Sequence, residues 1–412
     1  MNKAVEIMAP VGSPESLSAA INAGCNSVYF GIEQLNMRAR SSTNFTLDDL
    51  ADIVAKCKAN DVKTYLTLNT VLYDHDMNLM RTIIDRAKQE GISAVIASDH
   101  AAMAYAHKIG IPVHVSTQAN VSNVETVEFY SMFADVIVMA RELTLQQVKR
   151  ISQEIERRQI KGPSGNLIRV EIFAHGALCM AVSGKCYLSL HSHNASANRG
   201  ACIQNCRRTY MVTDKDEGIE FEIDNEYIMS PKDLCTIGFL DQIIDAGVEV
   251  LKIEGRGRSA DYVYTTVECY KEAVVAIENG TYTQQKVNNW LTELSTVFNR
   301  GFWDGYYLGR KLGEWNDSYG SKATEKKIFV GRGQKYFGKI GVGEFTVETN
   351  NLKVGDKILI TGPTTGALKH TVDEIRNDGG QVVESVAKGD VFSMKIPETV
   401  RPSDKLYKLV KV

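Results

Sequence analysis

A chain of 412 residues with 44% apolar and 24% charged side chains has ample material for a large packed core, which excludes disorder as its default state. The net charge of −3 gives no global pull toward nucleic acid or acidic membranes, so any anionic partner must be met by local basic patches. The opening MNKAVEIMAPVGSPESL lacks the pattern of a secretory signal, and no apolar run long enough to span a bilayer occurs; the expected compartment is the cytoplasm, with no membrane partner.

Taken in chain order, short β-branched runs recur between helix-like stretches: VEIMA (5–9), SVYFG (27–31), KTYLTLN (63–69), SAVIAS (93–98), PVHVST (112–117), DVIVMA (135–140), RVEIFAH (169–175) and VEVLKIE (248–254). The intervening LDDLADIVAKCKAND and LMRTIIDRAKQEGIS carry apolar residues at helical spacing. Eight strands alternating with helices predict an α/β chain folded as a (β/α)8 TIM-like barrel, with an open doubly wound sheet as the competitor. The gap between the seventh and eighth runs is more than twice the usual one, so a cysteine-rich insertion follows strand 7. Loops after barrel strands lie at the C-terminal face, where barrel active sites are built. SADYVYTTVECYKEAVVAIENG then reads as the last barrel helix and WLTELSTVF as a further one. From Lys326 the pattern turns to short strands with glycine turns, predicting a small all-β barrel over 326–412 behind a barrel domain over 1–320, with the linker near GEWNDSYGSKATE (313–325).

The insertion brings Cys179, Cys186, Cys202 and Cys206 together in EIFAHGALCMAVSGKCYLS and NRGACIQNCRRTY. A reducing compartment leaves such thiols free for metal. Separations of 7, 16 and 4 positions match no zinc ribbon, which favours an iron–sulfur cluster over tetrahedral zinc. Cys235, in SPKDLCTI, is the alternative to Cys206 as fourth ligand, and His175, His191 and His193 leave a mixed Cys/His zinc site open. Cys25, Cys57 and Cys269 sit in helix-like patterns and read as core.

At these residues E-x-F-x-x-G-x-L-C-x6-C-x-x-S resembles the signature of the collagenase-like peptidase family U32. MAPVGSPESLSAAINAGCNSVYFG, NMRAR, VSTQ, MSPKDL, KIEGRGRS and FNRGFWDGYYLG extend the resemblance, and GKIGVGEFTVETNNLKVGDKILITGP is similar to the second domain of translation elongation factor Tu. The chain looks most like the branch of that family that hydroxylates tRNA. The resemblance implies a 4Fe-4S cluster on Cys179, Cys186, Cys202 and Cys206. It also implies oxygen-independent formation of 5-hydroxyuridine at the tRNA wobble position, with dependence on prephenate. A sister branch implies an rRNA cytidine as substrate, and many members carry a peptidase or collagenase label. No H-E-x-x-H or G-x-S-x-G motif supports proteolysis, although a Cys179/His175 pair is conceivable.

A dicarboxylate such as prephenate needs fixed cations. Arg38 and Arg40 after strand two, and Lys252 and Arg256 with Glu254 between them at strand eight, are the candidates. Asn69, Gln118 and Glu171 end or line other strands and could bond a base, or be structural. For RNA contact the candidates are Arg207 and Arg208 beside the cysteines, and Lys335 and Lys339 in the β module, where a solvated charged edge is the competing explanation. GQKYFGKI (333–340) has P-loop spacing but puts Ile340 where Ser or Thr is needed, so no nucleotide site is expected.

Overall fold

The computed structural model describes residues 4–40, 44–208, 210–223, 230–309, 314–316 and 320–412. Residue 313 and residues 317–319 of the expected linker lie outside them. Seven parallel strands, β1 (Glu6–Pro10), β2 (Ser27–Phe30), β3 (Lys63–Leu68), β4 (Ala94–Ala97), β5 (Val113–Val115), β6 (Val136–Val138) and β7 (Arg169–Ala177), pair in order. The eighth barrel strand, Val248–Ile253, pairs in parallel with both β7 and β1 and closes the barrel, so the closed form holds over the open sheet.

The period-two alternation of a strand sorts the side chains into two cores. Ile7, Ala9, Val28, Phe30, Leu66, Val95 and Val113 face the surrounding helices, whereas Met8, Tyr29, Tyr65, Ile96, Val136 and Val250 fill the interior. The same alternation sends Glu6, His114, Glu171 and Lys252 inward, and all four are buried. Helix ends are set locally: Ser13 and Ser16 form a capping box ahead of Pro14–Asn22, Thr144 and Gln147 do so ahead of Leu145–Arg158, and Gly91 ends Met77–Glu90 in the left-handed region at φ 81°.

Between β7 and the eighth strand lies the insertion, which carries the short helix Leu188–His193 and the hairpin Tyr210–Thr213/Glu220–Ile223. It returns as Asp233–Cys235, antiparallel to the last residues of β7, with Phe302–Trp303 added alongside in parallel. The sequence pattern did not suggest either of these short strands.

After the helices Ala260–Glu278 and Gln284–Thr296, the chain forms an antiparallel sheet of eight strands that begins with Glu325–Phe337. Residues from both ends of its strand order, such as Ile360, Leu368, Ile375 and Phe392, share one apolar cluster, so the sheet wraps around its own core. The P-loop-like stretch falls largely within Glu325–Phe337, as its lack of a following helix suggests. This sheet rests on the barrel through Leu359 and Ala367 against Ala19 and Ala260, and Ser18 Oγ and Asn22 Nδ2 donate to the carbonyls of Pro363 and Thr365. Gly366, at φ 73°, makes that approach feasible, since a Cβ there would fall 2.6 Å from the backbone nitrogen of Ala19.

Candidate active site

A cavity of about 280 Å³ opens where β2, β3, β5, β7 and the eighth strand end and the insertion folds over them. Its position at the C-terminal face is the one expected of a barrel active site. Arg38, Lys252, Glu254 and Arg256, together with Arg207, line it; so do Arg141, Arg258 and Arg300, which the sequence did not single out. Glu254 is the lone carboxylate among the described lining residues.

Glu254 ties this wall together. Its Oε1 accepts from Arg38 Nη2 at 2.8 Å, its Oε2 accepts from the Tyr29 hydroxyl at 2.8 Å, and its backbone carbonyl accepts from the Tyr262 hydroxyl. Burial raises the pKa of such a carboxyl, but the guanidiniums of Arg38 and Arg256 and the donated hydrogen bonds prevail and hold it at about 2. Gly176, at φ 108°, lets β7 pass this strand, because a Cβ there would meet the Glu254 carbonyl at 2.4 Å.

The remaining cations are held by neutral acceptors, aromatic faces or a single carboxylate. Arg256 Nη1 donates to Thr67 Oγ1 at 2.8 Å and to Asn36 Oδ1 at 3.1 Å, while its Nε is buried without a partner among the described residues. Burial pulls its pKa down. Arg258 and Arg300 both stack on Phe298, with centroid distances of 3.6 and 5.0 Å, and Arg300 also reaches Asp233 at 3.3 Å. Arg207 donates to the Leu178 carbonyl at 2.8 Å; burial, then the neighbouring Arg300, lowers it to about 10. Lys252 has its own counter-ion, Glu171, at 2.8 Å inside the barrel. The cavity is therefore electropositive and suits an anionic guest.

Cys179, Cys186, Cys202 and Cys206 all line this cavity, whereas Cys235 is buried on Asp233–Cys235 behind it. Burial pushes the Cys206 thiol up to about 11, with Arg207 opposing and the other three thiols reinforcing it. Cys186 is raised by burial and by the proximity of Cys179 and Cys202. The four thiols thus surround one space and act on one another, as donors to a shared inorganic group must, and a bound cation would offset that mutual cost. Among the described residues, no three His, Cys, Asp or Glu side chains already converge on one metal-ion position. The donor set fits an iron–sulfur cluster, which is held by four separated thiolates, and Cys25, Cys57 and Cys269 are buried in the core, as expected of them.

Other expected site residues lie elsewhere. Arg40 is exposed, outside the cavity, with its N–H donated to the Gly200 carbonyl, because the chain after β2 turns irregularly and does not keep strand alternation. Arg208 is exposed within the insertion. Lys335 and Lys339 are exposed on the antiparallel sheet domain, Lys335 over the Phe337 ring at 4.9 Å. Asn69 and Gln118 line the cavity, and Gln118 Oε1 is buried with no partner among the described residues. His175 also lines the cavity, but it faces Tyr270 at 3.4 Å and is held neutral by burial, with a pKa of about 3. Arg258 was within reach of sequence reasoning, since it closes the KIEGRGR stretch; Arg141 and Arg300 converge only in space.

Among the described residues no helix is long and apolar enough to cross a membrane. The model of Peptidase family U32 matches residues 12–317. A protein of Porphyromonas gingivalis named Collagenase is 61% identical over 98% of both chains. The tRNA hydroxylation protein P of Helicobacter pylori is 30% identical over 90% of this chain and 86% of its own. The 23S rRNA 5-hydroxycytidine C2501 synthase of Escherichia coli is 32% identical over 74% of this chain and 46% of its own. With the family model covering the cysteine insertion and all of the barrel beyond β1, the chain is a member of peptidase family U32.

Proposed function

We propose that this enzyme is an iron–sulfur hydroxylase of RNA that works without molecular oxygen and forms 5-hydroxyuridine at the wobble position of tRNA. The observation that carries the reading is the meeting of four cysteines from one insertion with a cation-lined cavity at the barrel mouth. Cys179, Cys186, Cys202 and Cys206 would hold a 4Fe-4S cluster, which when bound supplies one-electron redox chemistry. Arg38, Arg256, Arg258 and Arg300 give the lining the charge to take a small dicarboxylate, and prephenate is the co-substrate this reading expects. The side-chain carbonyl of Gln118, unpartnered among the described residues, suits the N–H on the pairing edge of a uracil, and Phe173 and Leu178 offer an apolar wall for its ring. Arg208, Lys335 and Lys339 are exposed and available to phosphates. The names of the Helicobacter and Escherichia relatives support an RNA substrate, with an rRNA cytidine as the alternative.

A second reading, a peptidase, is favoured by the name of the Porphyromonas relative. A cysteine peptidase needs a thiol and an imidazole in contact. Here Cys179 is exposed while His175 is buried against Tyr270.

Anaerobic purification with iron, sulfide and visible-absorbance measurement separates these readings, alongside Cys179→Ala and Cys202→Ala and mass spectrometry of tRNA nucleosides from cells with and without the gene. About four irons per chain, lost in both variants together with 5-hydroxyuridine, is the expected result. An iron-free protein that digests gelatin and leaves tRNA nucleosides unchanged would overturn the proposal.

A further inference from the structure

Inside the barrel one carboxylate lies between two bases. Glu171 on β7 accepts from Lys252 Nζ with Oε1 at 2.8 Å, and its Oε2 faces His114 Nδ1 on β5 at 3.7 Å. All three residues are buried, and neither Glu171 Oε2 nor His114 Nδ1 has a hydrogen-bond partner among the described residues. An ion pair kept for stability alone should satisfy those atoms, since a buried orphan is costly. Only Lys252 of the three reaches the cavity wall. Tyr29 and Phe173 present ring faces to its Nζ at 4.6 and 5.7 Å, and the Tyr65 ring packs tilted against His114, with centroids 4.3 Å apart. The further charges around the group are settled: the Tyr65 hydroxyl donates to Glu6, which pairs with Arg169 and Lys63, and the Tyr29 hydroxyl donates to Glu254, beside Arg38 and Arg256.

We propose that Lys252 is the group that accepts a proton from the substrate in the cavity, with Glu171 and His114 as positioning residues that store the proton Lys252 gives up. The inference rests on the hydroxylase reading, because exchanging a ring C–H for C–OH frees a proton. A proton passes from Lys252 Nζ to Glu171 Oε1, leaving a neutral amine and a carboxylic acid; a half-turn of the carboxyl group about its Cγ–Cδ bond brings that same proton to face His114 Nδ1, which accepts it. This leaves a neutral amine, an ionised carboxylate and an imidazolium, with the total charge unchanged. The amine lone pair then takes the substrate proton, and no electron moves in the exchange. Glu171 has a cation beside it whenever it is ionised, first Lys252 and then the His114 imidazolium, so the carboxylate is never buried uncompensated.

The test reads the His114 imidazole by 15N NMR in the full-length protein without RNA, and follows 5-hydroxyuridine formation on tRNA separately. Lys252→Met makes His114 the sole basic partner of Glu171 and should raise its titration midpoint by about one pH unit or more, a tenfold change in affinity for the proton. Lys252→Arg keeps the cation but cannot release a proton; it should retain fold and tRNA binding while product formation falls about 100-fold or more. If Lys252→Met does not fold, Glu171→Gln serves instead and should lower the His114 midpoint. An unmoved midpoint, or wild-type product formation by Lys252→Arg, overturns the proposal. A wild-type protein that makes no hydroxynucleoside refutes the RNA reading instead, and the two failures are distinct because the imidazole shift is measured without RNA.

Discussion

Replacing Glu254 by Gln keeps the shape of the side chain and removes the charge that Arg38 and Arg256 act on. The ordinary value of 4.5 falls to about 2 in the folded chain, and the difference corresponds to about 3 kcal/mol of stabilisation of the ionised form. Breaking a buried pair from one side costs about 3–5 kcal/mol, so two routes lead to a similar magnitude. A carboxyl depressed on folding contributes its full stabilisation above the unfolded value and loses it as pH falls toward the folded one. About 2 kcal/mol of the total is therefore gone at pH 3. Urea denaturation of wild type and Glu254→Gln at pH 7 and pH 3 should show a gap of about 3 kcal/mol that shrinks to about 1 kcal/mol. A gap below about 1 kcal/mol at neutral pH, or one that does not change with acid, would refute the assignment of Glu254 as the charge that binds this wall together.

Gly176→Ala should destabilise the chain by about 2–3 kcal/mol and disturb the cavity, because the new Cβ meets the Glu254 carbonyl in a backbone region that L residues avoid; a urea midpoint equal to wild type would contradict this. His175 is buried neutral with a pKa of about 3, so its contribution is whole above about pH 6.5 and is lost as pH falls toward 3. His175→Gln should accordingly flatten the loss of unfolding free energy between pH 6.5 and 4 relative to wild type, and identical pH slopes would count against it.

What the sequence disclosed follows from how each feature is encoded. Barrel strands announce themselves because alternation between Ile7, Met8 and Ala9, or Val28, Tyr29 and Phe30, must serve two cores at once, and both cores demand apolar residues. The cysteine insertion was legible because it breaks the spacing of an otherwise regular repeat. Asp233–Cys235 and Phe302–Trp303 were not, since strands of three and two residues owe their form to a neighbouring ladder rather than to any pattern of their own. Arg38 and Arg40 look equivalent in NMRAR, and only the irregular path after β2 separates a cavity residue from an exposed one. Arg141 and Arg300 come from distant segments and join one cavity lining by topology alone. In the sequence Lys252 reads as a substrate-binding cation, Glu171 as a residue that bonds a base or is structural, and His114 does not stand out; their relation exists only across the barrel interior.

The ladder that pairs Ala177 with Asp233 fastens the departure and return of the insertion side by side on β7. Once that ladder has formed, the barrel is indifferent to how much chain hangs between the two points, since lengthening an already closed loop costs little more entropy. The thiol-bearing segment is in this sense an interchangeable head on a fixed mount: it can gain, lose or rearrange residues without disturbing strand order, while whatever it carries is delivered over the same cationic mouth.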